Sequence, residues 1–110
     1  MANAGWGRII NMGSVFGESA PGAGLSTYCG TKLAIRGLTR AWSRDLGPVG
    51  TTVNNIQPAL IQTEPLPTAG SVYEAMQRFS SVGRFGSPTE IAEAVAFLAN
   101  PGAGYINVRA

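Results

Sequence analysis

Histidine is absent from these 110 residues, so no histidine-based triad and no histidine-ligated metal site can form, and we expect no metal. The single cysteine, Cys29, excludes an intrachain disulfide and fits a reducing compartment, with the cytoplasm as the expected location. Long apolar runs are missing, and residues 1–12 lack a basic stretch followed by a sustained apolar one. Neither a membrane span nor a leader is predicted. Lysine occurs once, at Lys32, and the other basic residues are arginines scattered along the chain. A net charge of +2 without a basic cluster is too weak a footprint for nucleic acid or an anionic membrane.

What is present is ordinary for a globular chain. Hydrophobic residues make up 45% and charged residues 13%, and the length predicts one domain with a small core. The 15 glycines and 7 prolines fall at turns rather than in a repeat, which excludes a low-complexity or collagen-like chain.

The order of elements reads as α/β. Residues 8–12, Arg-Ile-Ile-Asn-Met, form a short apolar run between Gly7 and Gly13 and predict a buried parallel strand. Residues 13–24 predict a loop. Ser26–Leu46 predicts a long helix with apolar Leu33, Ile35, Leu38, Trp42 and Leu46, closed by Gly47-Pro48. Gly30, Ala34, Gly37 and Ala41 form a small-residue stripe along it. Two interior glycines cost about 1 kcal/mol each against alanine, which points to a packing reason. Thr51–Ile56 predicts a second strand, residues 59–71 a loop and residues 72–79 a short helix. Ser87-Pro88-Thr89-Glu90 is a capping box that launches an amphipathic helix ending near Asn100. Residues 105–110 predict the start of a third strand. Strand, helix, strand, helix, strand implies parallel pairing.

Tyr28 and Lys32 are four apart and share one face of the predicted helix. An ammonium beside a phenol favours the phenolate, which allows proton exchange with a carbonyl or alcohol oxygen near neutral pH. Ser14, on the neighbouring loop, is positioned to donate to that same oxygen as charge develops on it. As an isolated pair, Tyr-x-x-x-Lys reads equally well as a solvated surface pair. Cys29 reads as a packed small residue rather than a nucleophile, and Glu18 as a solvated loop charge.

The surrounding segments decide between these readings. Gly7-Arg8-Ile9-Ile10-Asn11-Met12-Gly13-Ser14 followed by Tyr28-Cys29-Gly30-Thr31-Lys32 resembles the active-site half of the short-chain dehydrogenase/reductase family. Val53-Asn54-Asn55-Ile56-Gln57-Pro58, Ile61-Gln62-Thr63, and Gly83-Arg84-Phe85-Gly86-Ser87-Pro88-Thr89-Glu90-Ile91-Ala92 resemble its later segments in order. The resemblance runs from about residue 7 to about residue 105. It implies a partial Rossmann-type, doubly wound parallel sheet in a single domain over residues 1–110. A catalytic segment would span about residues 7–46, and a cofactor and substrate loop with the last helix about 51–105. It further implies that Ser14 orients the substrate oxygen and that Tyr28 donates or accepts the proton. Lys32 would ease proton loss from Tyr28 and bind the nicotinamide ribose, and Pro58, Ile61 and Thr63 would line the cofactor. NAD or NADP would carry the hydride to or from a small carbonyl or alcohol substrate. Substrate choice would rest on residues 60–82 and 19–25. Copies of the chain would pair through Ser26–Leu46, with Ile35, Leu38 and Trp42 in the contact.

The chain also departs from the family. Ser14 and Tyr28 are fourteen apart, where thirteen is commoner, and Pro58-Ala59 stands where the family shows Pro-Gly, so a methyl is expected to crowd the cofactor or forbid a positive φ. No T-G-x-x-x-G-x-G phosphate loop occurs, and Asn3-Ala4-Gly5 lies too close to the next strand to serve as the family's N-A-G. These 110 residues therefore resemble the C-terminal half only, without the helix N-terminus that would hold a pyrophosphate. An inactive fragment that acts as an oligomerisation or binding module is the alternative reading.

Overall fold

A computed structural model describes residues 1–64, 66 and 68–108. Strand β1 (Gly7–Met12) and strand β2 (Thr51–Ile56) pair in parallel, in register from Gly7 opposite Thr51 to Met12 opposite Ile56. Parallel neighbours need a long crossover, and helix α1 (Ser26–Leu46) supplies it. Helices α2 (Gly70–Gln77) and α3 (Pro88–Ala99) follow. The result is an α/β fold with a small parallel sheet covered on both faces, part of a doubly wound arrangement.

Side chains alternate across a strand, so β1 offers one face to each helical layer. On one face Asn11 donates through Nδ2 to Thr39 Oγ1 of α1 at 2.9 Å, and Thr39 Oγ1 donates to the Ile35 carbonyl at 2.7 Å. On the other face Arg8 reaches past the end of α3 and donates to the carbonyls of Asn100 and Pro101 at 3.3 and 3.4 Å. The α3 start is the expected capping box. Ser87 Oγ accepts from the Glu90 N–H, and the Glu90 carboxylate accepts from the Ser87 N–H. Among the described residues, the buried apolar side chains are Val53, Phe85 and Ala103, with the Tyr73 and Phe85 rings 5.1 Å apart.

Three expectations need correction. Ile35, expected with Leu38 and Trp42 in a contact between copies, lies on the sheet-facing stripe of α1 with Lys32, Arg36, Thr39, Ser43 and Leu46, whereas Leu33, Leu38 and Trp42 are exposed. The small residues Gly30, Ala34, Gly37 and Ala41 share that outward side. The short helix begins two residues earlier than expected, at Gly70 rather than residue 72. No third strand forms among the described residues 105–108, and the last two residues of the expected strand lie outside the described ones. The tail instead meets β2 through side-chain amides. Asn107 Oδ1 accepts from the Val53 N–H at 2.9 Å, Asn54 Nδ2 donates to the Ile106 carbonyl at 2.8 Å, and the Val108 N–H donates to Asn54 Oδ1. A side-chain acceptor in place of a backbone carbonyl ends the ladder. Among the described residues, no helix is long and apolar enough to cross a membrane.

Candidate active site

The parallel pairing continues past both strands as single bonds. The Gly13 N–H donates to the Ile56 carbonyl at 2.7 Å and the Val15 N–H to the Pro58 carbonyl at 3.2 Å. These bonds fix Ser14 beside Pro58, at the carboxyl ends of β1 and β2, where open α/β sheets gather their ligands. A Cβ at Gly13 would lie 2.6 Å from Asn55 Oδ1, so a side chain there would require the Asn55 amide to shift.

Ser14 is buried and extended, and its Oγ accepts from the Phe16 N–H at 3.1 Å to cap the turn Val15–Gly17. Its own O–H meets no acceptor among the described residues and is left to donate elsewhere. Tyr28 sits in the first turn of α1, 45% exposed. Lys32 follows one turn later, with Nζ 5.7 Å from the centre of the Tyr28 ring and donating at 3.0 Å to the Met12 carbonyl, the last residue of β1. The ammonium thus bridges the strand end and the face of the tyrosine.

Two contacts hold the loop against α1. Glu18 pairs with Arg36, and Cys29 Sγ approaches the Ser19 carbonyl at 3.8 Å. Glu18 is therefore a tie between loop and helix rather than a free loop charge. Cys29 is half-buried at the same junction.

Beyond β2, Ile61 pairs with Gly86. The Gln62 N–H donates to the Gly86 carbonyl at 2.8 Å, and the Gly86 N–H to the Leu60 carbonyl at 2.9 Å. This pins the Ile61-Gln62-Thr63 segment to the Gly-Arg-Phe-Gly segment before α3. Among the described residues, Val108 is the only non-glycine with a positive φ, so Ala59 takes an ordinary conformation and does not need the glycine the family shows there.

A cleft of about 300 Å³ opens among these parts, and Ser14, Tyr28, Pro58 and Ile61 all line it together with Phe16 and Leu60. Of the residues the sequence singles out, Lys32 stands behind Tyr28, and Thr63 is exposed outside the cleft, its carbonyl accepting from the Leu66 N–H at 3.0 Å. Phe16 was missed. The signal for it was its place two residues after Ser14, in a turn that Ser14 itself caps.

A hydroxyl, a phenol and an ammonium thus lie near one another at the carboxyl ends of the parallel strands. The sequence profile of a family described as "Enoyl-(Acyl carrier protein) reductase" matches residues 1–109. The chain is 39% identical over 100 residues to the cyclic-di-GMP-binding biofilm dispersal mediator protein of Escherichia coli (strain K12), covering 91% of this chain and 42% of that protein. It is 42% identical over 109 residues to the 3-oxoacyl-[acyl-carrier-protein] reductase FabG of Pseudomonas aeruginosa, covering 96% and 43%. Among solved structures, a short-chain dehydrogenase/reductase from Serratia marcescens BCRC 10948 matches with a TM-score of 0.84 and 45% identity, covering 91% of this chain and 41% of that one. A blue fluorescent protein from a metagenomic library, solved in complex with NADPH, matches with a TM-score of 0.83 and 39% identity, covering 91% and 40%. The chain belongs to the short-chain dehydrogenase/reductase family, and it spans less than half the length of the curated relatives it matches.

Proposed function

We propose that this chain carries the proton-transfer site of a nicotinamide-dependent carbonyl–alcohol oxidoreductase, with Ser14, Tyr28 and Lys32 as the catalytic residues. The observation that carries the reading is that Ser14 and Tyr28 open onto one cleft, while Lys32 is tied to the end of β1 directly behind the tyrosine. In the reductive direction the substrate carbonyl oxygen accepts hydrogen bonds from the Ser14 and Tyr28 hydroxyls. The Tyr28 O–H bond breaks, its proton completes the new alcohol, and solvent returns a proton to Tyr28.

The residues present fit the reactive end of a dinucleotide. The free Ser14 donor and the Tyr28 phenol share the cleft with apolar Pro58 and Ile61, the ammonium stands behind the phenol, and unstrained backbone carries Ala59. Lys32 would hold the ribose, and Pro58 and Ile61 would wall the nicotinamide, with Thr63 at the outer end of the same segment. NAD or NADP, when bound, supplies or takes up the hydride. Copies of the chain pair through the outward face of α1, and sedimentation velocity across a concentration series checks this.

A second reading is a non-catalytic binding or oligomerisation module. Fluorescence titration with NADH and NADPH, together with a carbonyl-reduction assay, separates the two. Turnover that Tyr28→Phe lowers at least 10²-fold, with cofactor affinity nearly unchanged, supports the first reading. Undiminished turnover in Tyr28→Phe removes it, and a chain that neither binds cofactor nor turns over leaves the second.

A further inference from the structure

Ser14 and Tyr28 line one cleft although they are fourteen apart, one residue more than the family commonly shows. The loop between them is built in two parts. Residues 14–19 fold on themselves. The Gly17 N–H donates to the Ser14 carbonyl and the Glu18 N–H to the Val15 carbonyl, both at 3.0 Å, and Ser14 Oγ accepts from the Phe16 N–H at 3.1 Å. Residues 20–24 are all exposed, and among the described residues they make no hydrogen bond or ion pair. An untethered segment absorbs an extra residue at little entropic cost, but nothing in it holds Ser14 in place.

We propose that Glu18 and Arg36 are positioning residues, whose ion pair fixes the Ser14 turn on α1 and so sets the Ser14–Tyr28 geometry independently of the longer segment that follows. The proposal rests on the catalytic reading above and names two residues that act through Ser14 without touching the reacting atoms. Glu18 closes the turn that Ser14 caps, and its carboxylate pairs with Arg36. Tyr28, Lys32 and Arg36 stand on successive turns of α1, so the turn is tied one helical turn beyond the ammonium. Gly17 packs on the backbone of Lys32 and Leu33 between those points. The Arg36 side chain is 29% exposed, and a partly buried pair is screened less than a solvated one. The other side-chain contacts cannot replace it. Cys29 Sγ is a weak donor and lies 3.8 Å from the Ser19 carbonyl, and Ser19 Oγ reaches only the Val15 carbonyl of the same turn.

The test is amide exchange on the intact chain, read by NMR, in Arg36→Met, Glu18→Gln and the reversed pair Glu18→Arg with Arg36→Glu. Each single variant should speed exchange of the Phe16 N–H about two- to fivefold, the worth of one such pair. The Gly86 N–H, bonded to the Leu60 carbonyl away from the turn, should not change. The reversed pair should bring Phe16 back to within about twofold of the parent chain. Deleting Ala23, which shortens the untethered segment, should also leave Phe16 within about twofold. Carbonyl reduction adds a readout that a purely stabilising pair would not move. Arg36→Met should lower kcat about three- to tenfold with the KM for cofactor nearly unchanged. In a Ser14→Ala background the same substitution should lower kcat less than about twofold, because nothing is left to position. Unchanged exchange at Phe16, equal acceleration at Phe16 and Gly86, or an Ala23 deletion as disruptive as Arg36→Met overturns the proposal. So does a kcat loss of the same size with and without Ser14. Exchange decides the tie by itself in a chain without turnover. Exchange that responds as expected, alongside undiminished turnover in Tyr28→Phe, keeps the tie and removes the catalytic reading, so the two failures are distinguishable.

Discussion

Gly17 should tolerate no side chain, and the reason joins stability to the site. It closes the turn that Ser14 caps, and it is buried. Its φ lies outside the left-handed region, so conformational freedom does not explain it. Close approach does. A Cβ at Gly17 would stand 3.1 Å from the carbonyl carbon of Lys32 and 3.2 Å from both the Lys32 oxygen and the Leu33 nitrogen. These are backbone atoms of α1 and cannot rotate away. Overpacking of this kind costs about 1–3 kcal/mol, and the lower chain entropy of an unfolded alanine variant offsets about 0.4–1 kcal/mol of it. Gly17→Ala should therefore lose up to about 2.6 kcal/mol.

Gly37 provides the matched control. It lies in the middle of α1 with no atom within 4 Å of an added Cβ. Gly37→Ala should gain up to about 1 kcal/mol from helix propensity. Urea unfolding of both variants, at a dilution where the chain is monomeric and with a common slope, reads the difference directly. The same displacement moves the Ser14 turn relative to Lys32 by a few tenths of an ångström, so any carbonyl reduction should fall by up to about tenfold in Gly17→Ala. A Gly17→Ala variant as stable as Gly37→Ala would refute the steric argument.

Three further outcomes follow from named contacts. Asn107→Ala removes the acceptor of the Val53 N–H, a buried donor, and should cost about 1–3 kcal/mol in urea unfolding, with faster amide exchange at Val53. Glu90 is held down at about 2 by the Arg84 guanidinium first and the Ser87 N–H second. Its stabilising contribution is thus full above the ordinary carboxylate value of 4.5 and is lost as pH falls from there toward 2. The Tm advantage of the parent chain over Glu90→Gln should shrink across that window, and also in about 1 M salt because the pair is exposed. Lys32→Met keeps the hydrocarbon stem but loses the ammonium on the Met12 carbonyl. Stability should change by less than about 1 kcal/mol, while carbonyl reduction falls at least about 10²-fold. Equal modest losses in both would make Lys32 a structural tie only.

Much of this fold was legible because local signals and tertiary packing agree. The bounds of α1 and β2 follow from Gly47-Pro48 and from the β-branched run before Pro58, and the capping box at Ser87 announced α3. The proximity of Ser14, Tyr28 and Lys32 was legible for the same reason. Ser14 comes two residues after the end of β1, and Tyr28 and Lys32 are one helical turn apart, so chain order alone brings them to one end of the sheet. The face of α1 was not legible. Ile35 was expected beside Leu38 and Trp42 in a contact between copies, yet it lies on the sheet-facing side, where a threonine and the asparagine on β1 satisfy each other. Pairing between two distant polar side chains leaves no periodic trace. The tail failed for a related reason, since only the three-dimensional position of Asn107 reveals that its amide stands in for a strand.

Positioning of the site and stability of the chain have different sources. A folded chain of 11.4 kDa is expected to expose about 5,800 Å², and this one exposes 7110 Å². Its radius of gyration is 16.1 Å, against about 13 Å for a compact chain of this length. The excess of about 1,300 Å² is larger than the roughly 800 Å² that each partner buries in an ordinary protein–protein interface. Leu33, Leu38 and Trp42 contribute to it along the outer side of α1, as does Phe97 on α3. Covering that surface would raise stability by mass action without touching Ser14, Tyr28 or Lys32. The bonds that position those three residues are internal: Gly13 to Ile56, Val15 to Pro58, and Lys32 to Met12. The arrangement of hydroxyl, phenol and ammonium is therefore encoded within the strand–helix–strand unit, while the persistence of that unit depends on what covers its outer faces.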